Sequence, residues 1–438
     1  MLSPLRNRAY CNLFMAQVAA LLGTGVATVA LSLLAHDIAG ANSGEVLGIV
    51  LAIKMIAYVC VAPVASALAH HFPRRTLLIG LDIARAAVAI ALPFVSEAWH
   101  VFGMMTVLYV ASAAFTPAFQ SMIPDVLTDE REYTKALSLS RLASDLESVA
   151  SPVVAALLLA VTAYNNLFAG TAAGFAISAV LVLVAKLPEK RPAHAKPFLQ
   201  RLTVGFRLFA QTPRLRGLFA ISLATAAGGA MVFVNTVAIV QTALQLGTQE
   251  TAWALAVFGA GSMLAAVLLP SLLDAVSDRL AVVTGGAMMT VVLAIGAFRG
   301  DAQYTDLLFM WFAMGVGYSL TVTPGGRVLR RSSGTEDRPA LFAANFTLSH
   351  VCWLIAYPAA GFIGVLADQK VAFLLLAGIC GSSVLLTWLV WPASDPNTLL
   401  HTHDDLPVDH PHLVEHGVRH EHPVVIDAWH PSWPKRSE

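Results

Sequence analysis

Eight of the fourteen histidines fall in the last stretch of the chain, at His401, His403, His410, His412, His416, His420, His422 and His430. Three pairs have the form His-x-His. In an extended chain residues i and i+2 share a side, so each pair offers two imidazoles to one ion, and Asp404, Asp405, Asp409, Glu415 or Glu421 can complete the shell. Imidazole with carboxylate suits nickel, cobalt, copper or zinc. A solvated polar extension is the bland alternative, because a His-rich tract is a compositional signal. Pro407, Pro411 and Pro423 oppose helix and sheet, and large apolar residues are few, so residues 393–438 are expected to form a disordered metal-binding tail.

A second set of reactive residues lies inside apolar runs, where ionisable groups are costly and therefore functional candidates: Lys54, Asp145, Glu147 and His350, with Asn235 and Cys352 beside them. Asp145, Glu147 and His350 are the expected transport-path residues, since a carboxylate or imidazole holds either a metal or a proton. The bland reading pairs Arg141 with Asp145 at i, i+4, gives Glu147 to a neighbouring network and makes His350 a satisfied core residue. Cys352 stands two residues from His350, on the far side of a helix. Lys54 has no acid at i, i+3 or i+4, so its partner must come from another span. Asn235 lines the path or makes an interhelical hydrogen bond. His36-Asp37 reads as a release site or a solvated loop, and Met310 and Met314 as packing.

The elements that must position these groups are membrane spans. With 57% hydrophobic and 12% charged residues and a mean hydropathy of +0.69, the chain belongs in a bilayer. Zero net charge gives no case for nucleic acid, and Cys11, Cys60, Cys352 and Cys380 show no disulfide-like spacing. The first apolar run lacks a cleavage pattern and is expected to be a retained span. Runs long enough to cross a bilayer fall near 10–35, 45–69, 77–96, 100–122, 136–161 and 166–187, then near 216–242, 251–273, 280–299, 307–325, 340–366 and 371–392. This predicts an all-α membrane protein of 12 transmembrane helices: a six-helix half at 1–187, a linker at 188–213, a second half at 214–392 and the tail. In the linker, Leu199, Leu202, Phe206 and Phe209 beside Arg201 and Arg207 predict an amphipathic helix on the membrane surface.

Of 27 lysines and arginines, only Arg299 and Lys370 fall on one face and Lys54, Arg85 and Arg141 within spans; the rest collect on the other face. That face is expected to be cytoplasmic, with both termini and the tail on it. The halves also repeat. Thr116-Pro117 and Thr323-Pro324 end spans four and ten, and Asp129-Glu130-Arg131 matches Glu336-Asp337-Arg338, both 207 residues apart. Ala136-Leu137 and Ala340-Leu341 follow 204 apart, an offset that sets Asp145 and Glu147 against Ser349 and Val351, which flank His350.

Two six-span halves joined by a basic linker resemble the major facilitator superfamily, over residues 1 to about 392. The resemblance implies alternating access by rocking of the halves. Ser66-Ala-Leu-Ala-His70-His71-Phe-Pro-Arg74-Arg75 is similar to that family's Gly-x-x-x-Asp-Arg-x-x-Arg-Arg loop, with its basic end kept and histidines where the acid would stand. Phe115-Thr-Pro-Ala118, Ile123-Pro124 and Asp82-x-x-Arg85 are similar to the drug/proton antiporter branch that includes macrolide exporters; the Gly-Pro of antiporters reads Ser151-Pro152 here. Ser349-His350-Val-Cys352-Trp353-Leu-Ile-Ala-Tyr357-Pro358, with the His-x-His tail, resembles the nickel-resistance exporters.

No phosphate loop, His-Glu-x-x-His or Gly-x-Ser-x-Gly motif is present, so no enzyme is expected. The expected function is proton-coupled export of nickel or cobalt from a bacterial inner membrane. The metal is a substrate and the proton a coupling ion, with the lipid bilayer as partner and no cofactor. A drug or siderophore exporter, or a membrane-anchored metal buffer or sensor, are the competing readings.

Overall fold

A computed structural model describes residues 2–39, 43–68, 72–159, 161–185, 198–299, 303–334, 336–366, 369–395, 398–402, 419–422 and 425–426. In lipid a span must satisfy its own backbone, so each apolar run becomes a helix. The first half holds α1 (Arg8–Ala39), α2 (Ser43–Leu68), α3 (Arg74–Ala91), α4 (Ala98–Val126), α5 (Glu130–Leu159) and α6 (Asn165–Val184). Then come the linker helix α7 (Phe198–Gln211), and α8 (Pro213–Val237), α9 (Thr248–Ala275), α10 (Asp278–Phe298), α11 (Tyr304–Val322), the short α12 (Gly325–Arg331), α13 (Arg338–Leu366) and α14 (Gln369–Val390).

Eleven helical segments among the described residues are long and apolar enough to cross a membrane. The twelfth long helix, α5, is 30 residues but carries Glu130, Arg131, Glu132, Lys135, Arg141, Asp145 and Glu147 along its first two thirds. It is the most polar span because it lies between the halves, against α1 on one side and α9 on the other. The outer surface is apolar, with Ile56, Ile83, Val180, Leu183, Phe309 and Leu389 all more than half or about half exposed, as lipid contact requires.

Thr116-Pro117 does not end span four: α4 runs on to Val126 with Pro117 and Pro124 inside it. Its repeat partner Thr323-Pro324 does break span ten. Gly325-Gly326 follow the second proline, whereas Ala118-Phe119, which favour helix, follow the first. One face of the linker helix packs on the second half. Leu208 and Phe209 of α7 join the core of the second half, and a Cβ at Gly205 would collide with the Ala340 carbonyl, so α7 packs closely on α13. Leu199 remains exposed.

The expectation of an unstructured tail fails for its described part. Leu399–Thr402 (β1) pairs antiparallel with Arg419–His422 (β2), and Ile426 is 5% exposed within the core of the second half. Backbone hydrogen bonding across two strands, with Ile426 as an apolar anchor, overrides the local opposition of the prolines, which lie outside both strands. His403, His410, His412, His416 and His430 lie outside the described residues, as do His70 and His71.

The halves meet where α2 and α4 approach α13 and α5 approaches α9. On the face that carries the basic loops they are joined by charge. Asp125, at the end of α4, bonds Arg74 at 2.9 Å and also Arg338 of the second half. Arg327 bonds Glu130 across the halves at 3.1 Å and Asp278 within its own half at 3.4 Å, while Arg331 lies 3.1 Å from Asp278. Arg330 donates to the Thr128 carbonyl and Tyr133 Oη to that of Gly326. Asp125 thus ties the basic end of the loop after α2 to Arg338 of the second half.

Candidate functional site

Inside the interface between the halves, Lys54 of α2, Glu147 of α5 and His350 of α13 gather around one place. Lys54 Nζ lies 5.7 Å from the ring centre of Tyr58 and 5.9 Å from that of Tyr109, a cation held between two aromatic faces. The carboxylate whose charge it feels is Glu147 of α5, from another span and without a direct ion pair among the described side chains. Glu147 stands close to α1 because position 25 is glycine. A Cβ there would collide with the Glu147 carboxylate and the Ser151 hydroxyl. Ser151 Oγ is buried with no hydrogen-bond partner among the described residues.

His350 meets the first half through aromatic contact. Its ring centre lies 4.8 Å from Tyr58, edge to face, and 4.1 Å from Phe346, while Thr347 Oγ1 donates to the Val59 carbonyl at 3.3 Å. Nδ1 lies 2.7 Å from the Phe346 carbonyl, which fixes the proton on Nδ1 and leaves Nε2 as the lone-pair nitrogen. Nearly two turns nearer the basic face, Arg141 of α5 donates to Ser262 Oγ at 3.1 Å and lies 4.8 Å from the Tyr318 ring. From there an aromatic series, Tyr318, Trp353 and Tyr357 with Phe233 and Phe258, runs through the second half.

Two path candidates lie elsewhere. Asn235 is buried and donates to the Ala360 carbonyl at 3.3 Å, tying α8 to α13, since the backbone acceptor offers what an amide in lipid requires. Cys352 is 3% exposed in the core of the second half, on the side of α13 turned away from His350. Asp145 is on α5, but its side chain lies outside the described set, as does that of His36. Asp37 accepts a 2.6 Å hydrogen bond from Tyr164, and Met310 and Met314 are buried in the core. Asp82 and Arg85 form a buried ion pair, which Ser178 extends by a 2.8 Å hydrogen bond. Among the described side chains no three His, Cys, Asp or Glu converge on one point.

Sequence reasoning missed Gly25, Tyr58, Tyr109 and Phe346. Tyr58 and Phe346 had a signal, each one turn from a singled-out residue, Lys54 and His350, and so on its side of the helix.

The chain matches the Major Facilitator Superfamily over residues 13–247 and 218–416. It is 23% identical over 351 residues to an uncharacterized MFS-type transporter, YfiS, of Bacillus subtilis, covering 76% of this chain and 80% of that one. Macrolide efflux protein A of Enterococcus faecalis is 28% identical over 174 residues, 38% of this chain and 53% of its own. Among solved structures, the human organic anion transporter MFSD10 superposes with a TM-score of 0.73 at 12% identity, over 87% of this chain and 99% of that one. A bacterial homologue of the iron transporter ferroportin in the outward-facing state gives 0.72 at 15%, over 87% and 98%.

Proposed function

The chain belongs to the major facilitator superfamily and is a multi-pass membrane transporter, not an enzyme; from that premise we propose that it exports a divalent transition metal, nickel or cobalt, in exchange for protons, from a bacterial inner membrane with both termini cytoplasmic. The observations that support this best are the eight tail histidines and the anchoring of the tail on the second half, through Asp395 bonded to Arg331 and Ile426 buried in that half's core. Metal captured by the tail enters when rocking of the halves parts the ion pairs of Asp125 with Arg338 and of Glu130 with Arg327.

Glu147 is the exchange group. At the same distance a carboxylate attracts a divalent ion about twice as strongly as it attracts a unit charge. A metal ion and a charged Lys54 therefore compete for Glu147, and so does a proton. Loading Glu147 from outside with a proton releases whichever cation it held, which couples the two flows through one set of lone pairs. His350 Nε2 offers a neutral ligand at the same level.

A second reading is export of an amphipathic organic molecule. It is favoured by the relatives named macrolide efflux protein A and by the aromatic series beside His350. Inside-out vesicles with an imposed proton gradient test both. Gradient-driven nickel or cobalt uptake is expected; macrolide uptake without metal uptake establishes the second reading, and metal binding without flux leaves a buffer.

A further inference from the structure

Helix α10 begins at Asp278, among the ion pairs of the basic face, and ends at Phe298 on the opposite face. A groove of about 470 Å³ runs along its last turns, lined by Val291, Ala294, Ile295, Phe298 and Arg299. The four apolar residues recur at i, i+3, i+4 and i+7, so they form one stripe of the helix, ~12 Å long from Val291 to Arg299. Val291, Ile295 and Phe298 belong to the exposed apolar surface.

Positive charge stands at one end of this stripe. Arg299 is half exposed, with Nη2 2.9 Å from Asp306 of α11, and Lys370 of α14 brings its Nζ to 5.9 Å from the centre of the Phe298 ring. These are the two basic residues, of 27, that fall on this face, and both stand beside one aromatic side chain. Helix stability does not explain Lys370. It is the second residue of α14, where the helix dipole disfavours a cation and favours an anion. Asp306 occupies one nitrogen of a guanidinium that carries five N–H donors. Arg299, Lys370 and Asp306 together leave one net positive charge among the described side chains, the complement of a single phosphodiester.

We propose that this groove binds one anionic glycerophospholipid, of the phosphatidylglycerol class, with its phosphate between Arg299 and Lys370 and an acyl chain along Val291, Ala294 and Ile295. A phospholipid answers both parts of the site: the charge sits where the span ends, at the level of the headgroups, and the stripe runs from there toward the middle of the bilayer. A free anion would engage the rim alone. A second copy, related by an axis along the membrane normal, would bring the same two cations to the same level, where they repel.

The proposal holds whatever the transporter carries. The full chain, purified in mild detergent, is titrated with phosphatidylglycerol and with phosphatidylcholine of identical acyl chains, and bound lipid is counted by native mass spectrometry. One phosphatidylglycerol is expected to be held in preference. Arg299→Gln and Lys370→Gln should each cut that preference about 5-fold, and together about 30-fold, the attraction of an anionic headgroup layer for one and for two basic residues. R6Q/R8Q, which removes as much charge from the opposite face, should keep it. Equal retention of the two lipids, a preference untouched by R299Q/K370Q, an equal loss in R6Q/R8Q, or displacement of the lipid by inorganic phosphate would each overturn the site. So would a double variant that changes the oligomeric mass and not the lipid count, which would make the groove an interface between copies.

Discussion

Arg331 Nη2 lies 3.4 Å from Asp395 Oδ2, so the root of the C-terminal segment is bonded to the short helix that helps close the basic face. The same nitrogen lies 3.1 Å from Asp278, whose other oxygen is 3.4 Å from Arg327, and Arg327 reaches Glu130 of the first half. A chain of alternating charge thus runs from the tail to the opposite half of the transporter.

Asp395→Asn removes the charge at one end of that chain, the carboxylate 3.4 Å from Arg214, whose side chain is 3% exposed. Breaking one partner of a buried pair costs roughly 3–5 kcal/mol in apolar surroundings, and less here, because Asp278 still serves Arg331. A lower thermal midpoint is expected, together with easier labelling of a cysteine placed at Thr128, where the halves meet. An unchanged midpoint and unchanged labelling would mean that Asp395 only fixes the tail.

Gly25→Ala should harm the protein far more than a surface glycine would. The added methyl meets Glu147 and Ser151 on the adjoining helix, which must swing aside or move α5 outward. Overpacking of this kind typically costs ~1–3 kcal/mol. Gly80→Ala, where nothing stands within 4 Å, is the control. Equal flux and equal yield for the two variants would show that α1 and α5 do not need this close approach.

The spans were legible because bilayer length and apolarity leave the chain few choices, and the charged α5 is the case where function shows as a departure from that rule. Lys54 and Glu147 were legible as costly buried charges, but their pairing was not, since it depends on the glycine that admits α5 to α1. His350 was legible from the half-to-half offset, whereas its contact with Tyr58 depends on which way α2 and α13 are turned. The strand pair was hidden because its stability lies in hydrogen bonds between segments far apart in sequence, while local composition points the other way.

Metal binding by the tail should fade on acidification. Ligating imidazoles must be neutral, and an exposed histidine has a pKa of about 6.5, so protons compete increasingly as the pH falls through that value. Calorimetry of the full chain with nickel should show several ions at pH 7.5 and few at pH 5.5; undiminished binding at the lower pH would point to carboxylates instead. Truncation after Thr398 should remove this binding while leaving an inserted protein with weaker nickel tolerance.

The membrane site makes the sharpest demand. Glu147→Gln keeps the size of the side chain and removes its charge, leaving Lys54 between Tyr58 and Tyr109 without the acid that balances it. Exchange needs a group that takes up and gives up a cation, so this variant should lose gradient-driven flux, by ~100-fold or more if Glu147 is the one exchange group, with normal amounts of inserted protein. Lys54→Met should retain downhill movement of substrate but lose its dependence on the proton gradient, because the competitor for Glu147 is gone. His350→Ala should reduce metal flux and spare macrolide flux if Nε2 is a ligand, and harm both if the ring only packs. Asp145→Asn is measured beside them, since its neighbour Arg141 bonds Ser262 of the second half and lies against Tyr318. Vesicle flux normalised to protein decides the matter: full parental flux in Glu147→Gln would place the exchange group elsewhere, with Asp145 the next carboxylate on the same helix to bear it.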